Sequence, residues 1–255
     1  MEYAVVSLPA APVRRKARHS SEMISQLLFG ETVKVIKTRG DLWVKVRSLH
    51  DNYEGWMTHT LLEPVTESFA KKESQYVVTG LINEIYIGDS ILQIPFGASL
   101  PFFSYGKGKL GNLDYEFHGN CCKRNEQPRS ADWLKQKTSL WLNAPYMWGG
   151  RTPLGVDCSG FVQVVFKMIG IDLPRDAWQQ AQEGKALKKF SDAQAGDLIF
   201  FNNKEEIVHV GIYLGEGKMI HAAGMVRIDE INKRGFVDAA VKISGKRLRA
   251  IRRYW

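Results

Sequence analysis

Apolar residues alternate with polar ones at a period of two through the first half of this chain, and near residue 130 they change to helical spacing. That change limits the folds open to the chain more than any other feature. The stretch "ETVKVIKTRGDLWVKVRS" alternates on both sides of the turn "TRGD", as a half-buried hairpin does. "NYEGWMTHTLLEP" adds a short strand and a turn that closes at Pro64. Residues 68–123 repeat the texture in "YVVTGLINEIYI", "SILQIPFGASLPFF" and "LDYEFHGNCC". Two units of roughly 60 residues, made of short strands and glycine-bounded turns, predict two small β-barrels. They span residues 1–66 and 67–124, the second being divergent.

Residues 125–255 read instead as a block of helices followed by a block of strands, which is the α+β order. Ser130 can cap a helix through "ADWLKQKTSLWLNA", with Trp133, Leu134, Leu140 and Trp141 at helical spacing and Pro145 as the stop. The loop "MWGGRTPLG" leads to a second helix over residues 159–169. That helix is apolar on nearly every side, so burial is expected, and Gly170 ends it. A third helix is expected in "RDAWQQAQEG". Strands follow in "DLIFF", "HVGIYLG" and "KMIHAAG", and in the terminal "KISGKRLRAIRRYW", where apolar and basic residues alternate.

A chain of 255 residues with 44% apolar and 24% charged residues can bury a core without disulfides or metals. Cys121, Cys122 and Cys158 are too few for a disulfide framework, and free thiols suit a reducing compartment. The start has no basic leader before a long apolar run, so a cytoplasmic protein is expected, or a secreted or periplasmic one if a leader lies upstream. No run approaches the ~18 apolar residues of a membrane span, so no membrane partner is expected. The net charge of +8 is scattered rather than clustered with aromatics, which argues against nucleic acid. A monomer is expected.

Cys158 sits in "GVDCSGFVQVVF", at the N-terminus of the buried helix. Unpaired N–H groups and the positive dipole end there stabilise a thiolate. A buried packing cysteine is the alternative from this stretch alone. The histidines weigh against that. "IVHVGIYLGEGKMIHAAG" reads as a hairpin with the three-residue loop Gly215-Glu216-Gly217. With Leu214 opposite Lys218, His221 faces Gly211 and His209 faces Ala223. The two histidines are then diagonal neighbours about 7–8 Å apart on one face. His209 can serve as base to the thiol and His221 can orient it. No further ligand pattern accompanies them, so neither a metal nor another cofactor is expected. His19, His50, His59 and His118 read as surface or structural residues.

"YMWGGRTPLGVDCSGFVQVVF", "AGDLIFF" and "HVGIYLGEGKMIHA" resemble the NlpC-type cell-wall cysteine peptidases, over about residues 130–255. "PVRRKARHSSEMISQLLFGE" and "YEGWM" resemble the bacterial SH3-like domains of one branch, the γ-D-glutamyl-L-diamino acid endopeptidases. The resemblance implies a papain-like α+β domain preceded by two SH3-like β-barrels. It implies Cys158 as nucleophile, His209 as base and His221 as its orienting partner. It further implies that Asp157 and Ser159 bind an L-Ala-γ-D-Glu unit, that Tyr146 lines the acyl pocket, and that Asp176 lies in a substrate loop. Ala177 stands where that branch usually has Ser. Tyr53, and more weakly Glu22, would meet the free amine of the substrate. Simpler roles are open to several of these: a helix cap for Asp157 and Asp176, packing for Tyr146, barrel core for Tyr53, a solvated charge for Glu22. The implied activity is hydrolysis of the γ-D-glutamyl–diamino acid bond of murein peptides with a free N-terminal L-Ala, in peptide recycling. The alternatives are a secreted hydrolase of polymeric peptidoglycan anchored by the SH3-like domains, and a non-catalytic wall-binding protein.

Overall fold

The alternating first stretch folds into a seven-stranded antiparallel sheet between Tyr3 and Val65. The computed structural model describes residues 1–203, 206–236 and 247–255. Thr32–Arg39 and Trp43–Ser48 form the expected hairpin, with Val44 and Val46 buried and Lys45 and Arg47 turned outward. A register shift between Val35 and Lys37 interrupts the alternation and leaves Ile36 exposed. Val6, Val13, Leu27, Val33, Val46 and Met57 are among the residues that close this core.

Helix α1 (Glu67–Lys71), capped by Thr66, leads into the second unit. Here a four-stranded and a three-stranded sheet enclose one core, which includes Val78, Ile85, Ile94, Tyr115 and Phe117. "YVVTGLINEIYI" is divided between two strands, Tyr76–Val78 and Ile82–Ile87, which belong to different sheets.

The third unit carries the helices. Ser130 caps α2 (Ala131–Ser139) by accepting the Trp133 N–H. The helix stops well before Pro145, because the chain beyond it pairs with the sheet: Asn143 N–H donates to Val226, and Val226 N–H to Ala144. Leu140 consequently faces solvent, while Trp141 is buried outside the helix. Helix α3 (Cys158–Lys167) is buried along its whole length, and Gly170, at φ 72°, follows it. Helix α4 (Ala177–Gln180) is a single turn rather than the longer helix expected. Its last carbonyls are taken by side chains of the C-terminal segment, Gln180 by Tyr254 at 2.5 Å and Ala181 by Arg252 at 2.6 Å. Strands Leu198–Asn203, Glu206–Gly215, Lys218–Ala223, Met225–Asn232, Gly235–Phe236 and Arg247–Arg253 follow one another in the sheet. The pair Gly235–Arg247 joins the last two, closing the sheet on itself. Residues 242–246 of the terminal basic run lie outside the described residues; Arg247–Arg253 is the expected strand, with Ile251 buried.

The three units share a core. Leu28 of the first unit and Val77 and Phe96 of the second pack in one apolar cluster with Phe161, Val164 and Phe166. At its edge Glu31, with a 2% exposed side chain, meets Arg151 at 2.7 Å and Lys167 at 2.8 Å. Lys167 also donates to Gly97 and Ser99, at 2.9 Å each. Burial pushes the Glu31 carboxyl up, but the charges of Arg151 and Lys167 outweigh it and hold it well below the ordinary range. The first unit is therefore fixed on the helical one by charge as well as by apolar contact.

Candidate active site

Asp157 stops extended backbone and starts α3. Its Oδ1 accepts the Gly160 N–H at 2.7 Å and its Oδ2 accepts the Gly149 N–H at 2.8 Å. Gly149 adopts φ 75°, and a Cβ on Gly160 would stand 2.3 Å from the Gly150 carbonyl, so the glycine-rich loop lies directly on the start of the helix. Cys158 is thereby the first residue of α3, where helix N–H groups and the dipole favour a thiolate.

Arg175, not singled out in the sequence, completes this corner. It binds Asp157 through two bonds, 2.5 Å and 3.0 Å, and donates to Ser159 Oγ at 2.9 Å. Ser159 Oγ in turn donates to Asp157 Oδ1 at 3.3 Å. Burial would lower the Arg175 pKa, but Asp157 raises it further, so the guanidinium stays charged. Asp157 is thus both the expected cap and one half of a buried ion pair.

Helix α3 packs on the strands Glu206–Gly215 and Lys218–Ala223, which carry His209 and His221. Ile212 pairs with Ile220 and Tyr213 with Met219, which is the register expected from the sequence. The turn producing it is different. Lys218 pairs with Gly215, a shift at Leu214 absorbs one residue, and Glu216 and Gly217 both take positive φ. This is a two-residue turn plus a bulge in place of a three-residue loop.

His209 Nε2 lies 2.7 Å from His221 Nδ1, and His221 Nε2 lies 2.8 Å from Asp229 Oδ2. Both histidines are buried. Asp229 is not among the site residues expected from the sequence. It sits opposite Met219, two residues beyond the Arg227 that faces His221, and so is a diagonal neighbour of His221. Burial raises the Asp229 pKa, but His221 and then Arg227 bring it below the usual carboxylate value. An ionised Asp229 accepts only, so His221 carries its proton on Nε2 and accepts at Nδ1 from His209 Nε2–H. His209 then has Nδ1 as its basic nitrogen.

A cavity of about 370 Å³ opens above Cys158. The third unit contributes Tyr146, Asp157, Ser159, Asp176, Ala177 and Trp178 to its wall, and the first unit contributes Arg15, Ile24 and Tyr53. Tyr53 OH donates to Asp176 at 3.3 Å, to either carboxylate oxygen, across the boundary between units. Burial, and then the charge of Asp176, push the Tyr53 phenol up to about 12. Burial, then Cys158, raise the Tyr146 phenol as well, so both keep their protons as donors. Asp176 is itself raised, because burial outweighs Arg175 and Tyr53.

Glu22 is placed differently from the other expected substrate residues. It accepts from Arg15 Nε at 2.6 Å and from Trp148 Nε1 at 2.9 Å, and it is not part of the cavity wall. Ala177 is in the wall, without the hydroxyl a serine would bring. Among the other histidines, His50 contacts Asp172 at 3.1 Å between units. Among the described residues no group of three or more His, Cys, Asp or Glu side chains is arranged to hold a metal ion.

Comparison with known proteins gives consistent matches. The NlpC/P60 family matches over residues 143–244, and the bacterial dipeptidyl-peptidase SH3 domain over residues 13–62. A γ-D-glutamyl-L-lysine dipeptidyl-peptidase of Bacillus cereus (strain ATCC 10987 / NRS 248) is 32% identical over 253 residues, covering 86% of this chain and 74% of the relative. The protein of the same name from Bacillus subtilis (strain 168) is 32% identical over 213 residues, covering 78% of this chain and 71% of its own length. In structure, a crystallised NlpC/P60 family protein from Bacillus cereus ATCC 10987 superposes with a TM-score of 0.82 at 26% identity, covering 99% of both chains.

Proposed function

The chain belongs to the NlpC/P60 family and is a cysteine peptidase, and from that premise we propose that it hydrolyses the γ-D-glutamyl–diamino acid bond of murein peptides whose L-Ala amine is free. The observation that carries this reading is the wall shared by two units: Tyr53 of the first reaches Asp176 of the third at the end of the Cys158 cavity. The cavity-lining Asp157 is matched by Arg175, whereas Asp176 accepts from neutral donors, the Tyr53 hydroxyl and the Trp178 indole among them, and no cation is hydrogen-bonded to it among the described residues. A half-buried carboxylate without a bonded cation suits one substrate ammonium.

The chemistry follows from the relay. His209 Nδ1 takes the proton of the Cys158 thiol, and Sγ attacks the γ-carbonyl carbon. In this reading the oxyanion accepts from the Cys158 backbone N–H at the helix start and from the hydroxyl of Tyr146, both residues of the cavity wall. The C–N bond breaks, and the departing amine takes the proton from His209. A water then gives a proton to His209 and attacks the thioester, releasing L-Ala-γ-D-Glu and restoring the thiol. Throughout, His221 and Asp229 hold His209 in one tautomer and stabilise its cation.

Intact peptidoglycan has its L-Ala amidated, so a wall that reads the amine selects released fragments, as a recycling enzyme would. The test compares L-Ala-γ-D-Glu-L-Lys with its N-acetyl form, products being identified by mass. A buried charge-assisted hydrogen bond is worth about 1.5–3 kcal/mol, so the free peptide should be favoured by at least ~10-fold. Replacing Tyr53 by Ala should reduce that preference. Similar rates on both peptides with the wild-type protein would favour a hydrolase of polymeric peptidoglycan instead.

A further inference from the structure

We propose that Arg15 is the carboxylate-binding group of the substrate cavity, reading the free α-carboxylate that a γ-linked glutamyl residue retains. The inference rests on the γ-D-glutamyl peptidase reading above. Two arginines and two aspartates line the cavity: Arg15, Arg175, Asp157 and Asp176. Asp157 and Arg175 satisfy each other through two bonds. Asp176, held by Tyr53, is left for an ammonium, and Arg15 is left as the cation of the wall.

Arg15 is positioned from behind. Its backbone N–H donates to the Glu22 carbonyl at 3.0 Å and its Nε to the Glu22 carboxylate at 2.6 Å. The other Glu22 oxygen accepts from Trp148 of the catalytic unit at 2.9 Å. Glu22, outside the wall, is therefore a bracket between units that fixes the guanidinium at the cavity edge. Because the bracket uses Nε, both terminal amino groups of Arg15 remain without a described hydrogen-bond partner, and its side chain is 60% exposed. Two parallel N–H donors on a planar group match the two oxygens of a carboxylate. The ligand complementary to Arg15 and Asp176 together is a zwitterion, and L-Ala-γ-D-Glu is one, with its ammonium and α-carboxylate separated by a few bonds. A peptide with that carboxylate converted to a carboxamide lacks the anion that Arg15 would hold.

The experiment measures kcat/KM on L-Ala-γ-D-Glu-L-Lys and on the same peptide with an α-carboxamide on its second residue, for wild type, Arg15→Gln and Arg15→Lys. Wild type should favour the carboxylate ~10- to 100-fold. Arg15→Gln should bring the ratio close to one through loss on the carboxylate peptide alone, and Arg15→Lys should keep part of it. In parallel, Cys158→Ala should bind L-Ala-γ-D-Glu more tightly than its α-amide, a difference lost in Cys158→Ala/Arg15→Gln. A ratio that survives Arg15→Gln, or a wild type indifferent to the carboxamide, overturns the assignment while leaving the peptidase reading intact. Failure of wild type to cleave either peptide overturns both.

Discussion

Replacing Asp229 by Asn breaks the relay at its far end without changing its shape. The carboxylate lies 2.8 Å from His221 Nε2, and its side chain is only 15% exposed, so solvent screens the contact weakly. A hydrogen bond to a charged partner contributes about 1.5–3 kcal/mol and a neutral one about 0.5–1.5 kcal/mol, so the charge accounts for roughly 1–1.5 kcal/mol. At ~1.4 kcal/mol per decade, kcat should fall about 10-fold if that difference is felt in the transition state, where His209 is cationic. KM should change little, because Asp229 is not part of the cavity wall. The pH profile supplies a second readout. An imidazolium deprived of its carboxylate loses its proton more easily, so the alkaline limb of kcat/KM should move to lower pH. Arg227 serves as control. It donates to the same Asp229 oxygen at 3.0 Å, and Arg227→Gln leaves the carboxylate to His221 alone, so the limb should stay or move up. Steady-state kinetics on the free tripeptide across the neutral range decide the matter. An Asp229→Asn protein with wild-type kcat and an unmoved alkaline limb would show that the relay ends at His221.

Cys158 should be the thiol that iodoacetamide modifies first, since it starts a helix while burial pushes Cys121 up and Cys122 up to about 12; mass mapping that finds either of those two labelled ahead of Cys158 refutes the activated-thiolate argument. Glu31→Ala should destabilise the protein by about 3–5 kcal/mol, because Arg151 and Lys167 would lose their shared buried carboxylate. An unchanged midpoint of chemical denaturation would mean that apolar contact alone holds the units together.

What the sequence determined by itself was local. The period of two in "ETVKVIKTRGDLWVKVRS" and the apolar run after Cys158 need only near neighbours to be read, and both became the expected elements. The register that places His209 beside His221 was also legible, although the turn differs from the expected one: a bulge at Leu214 restores the count that the shorter turn removes. Asp229 was within reach of the same reasoning, since one more antiparallel strand puts it diagonal to His221. What only the tertiary structure decided concerns charges. Glu31, Lys167 and Arg175 look in sequence like solvated residues, and in the fold each is buried against an opposite charge distant along the chain or in another unit, Arg175 against Asp157. Likewise Arg15, and not Glu22, reached the cavity wall, because the Glu22 carboxylate is held from both sides by Arg15 and Trp148. Hydrophobic periodicity reports which face of one element is covered. Which charge meets which depends on how separate elements pack, and no local pattern records that.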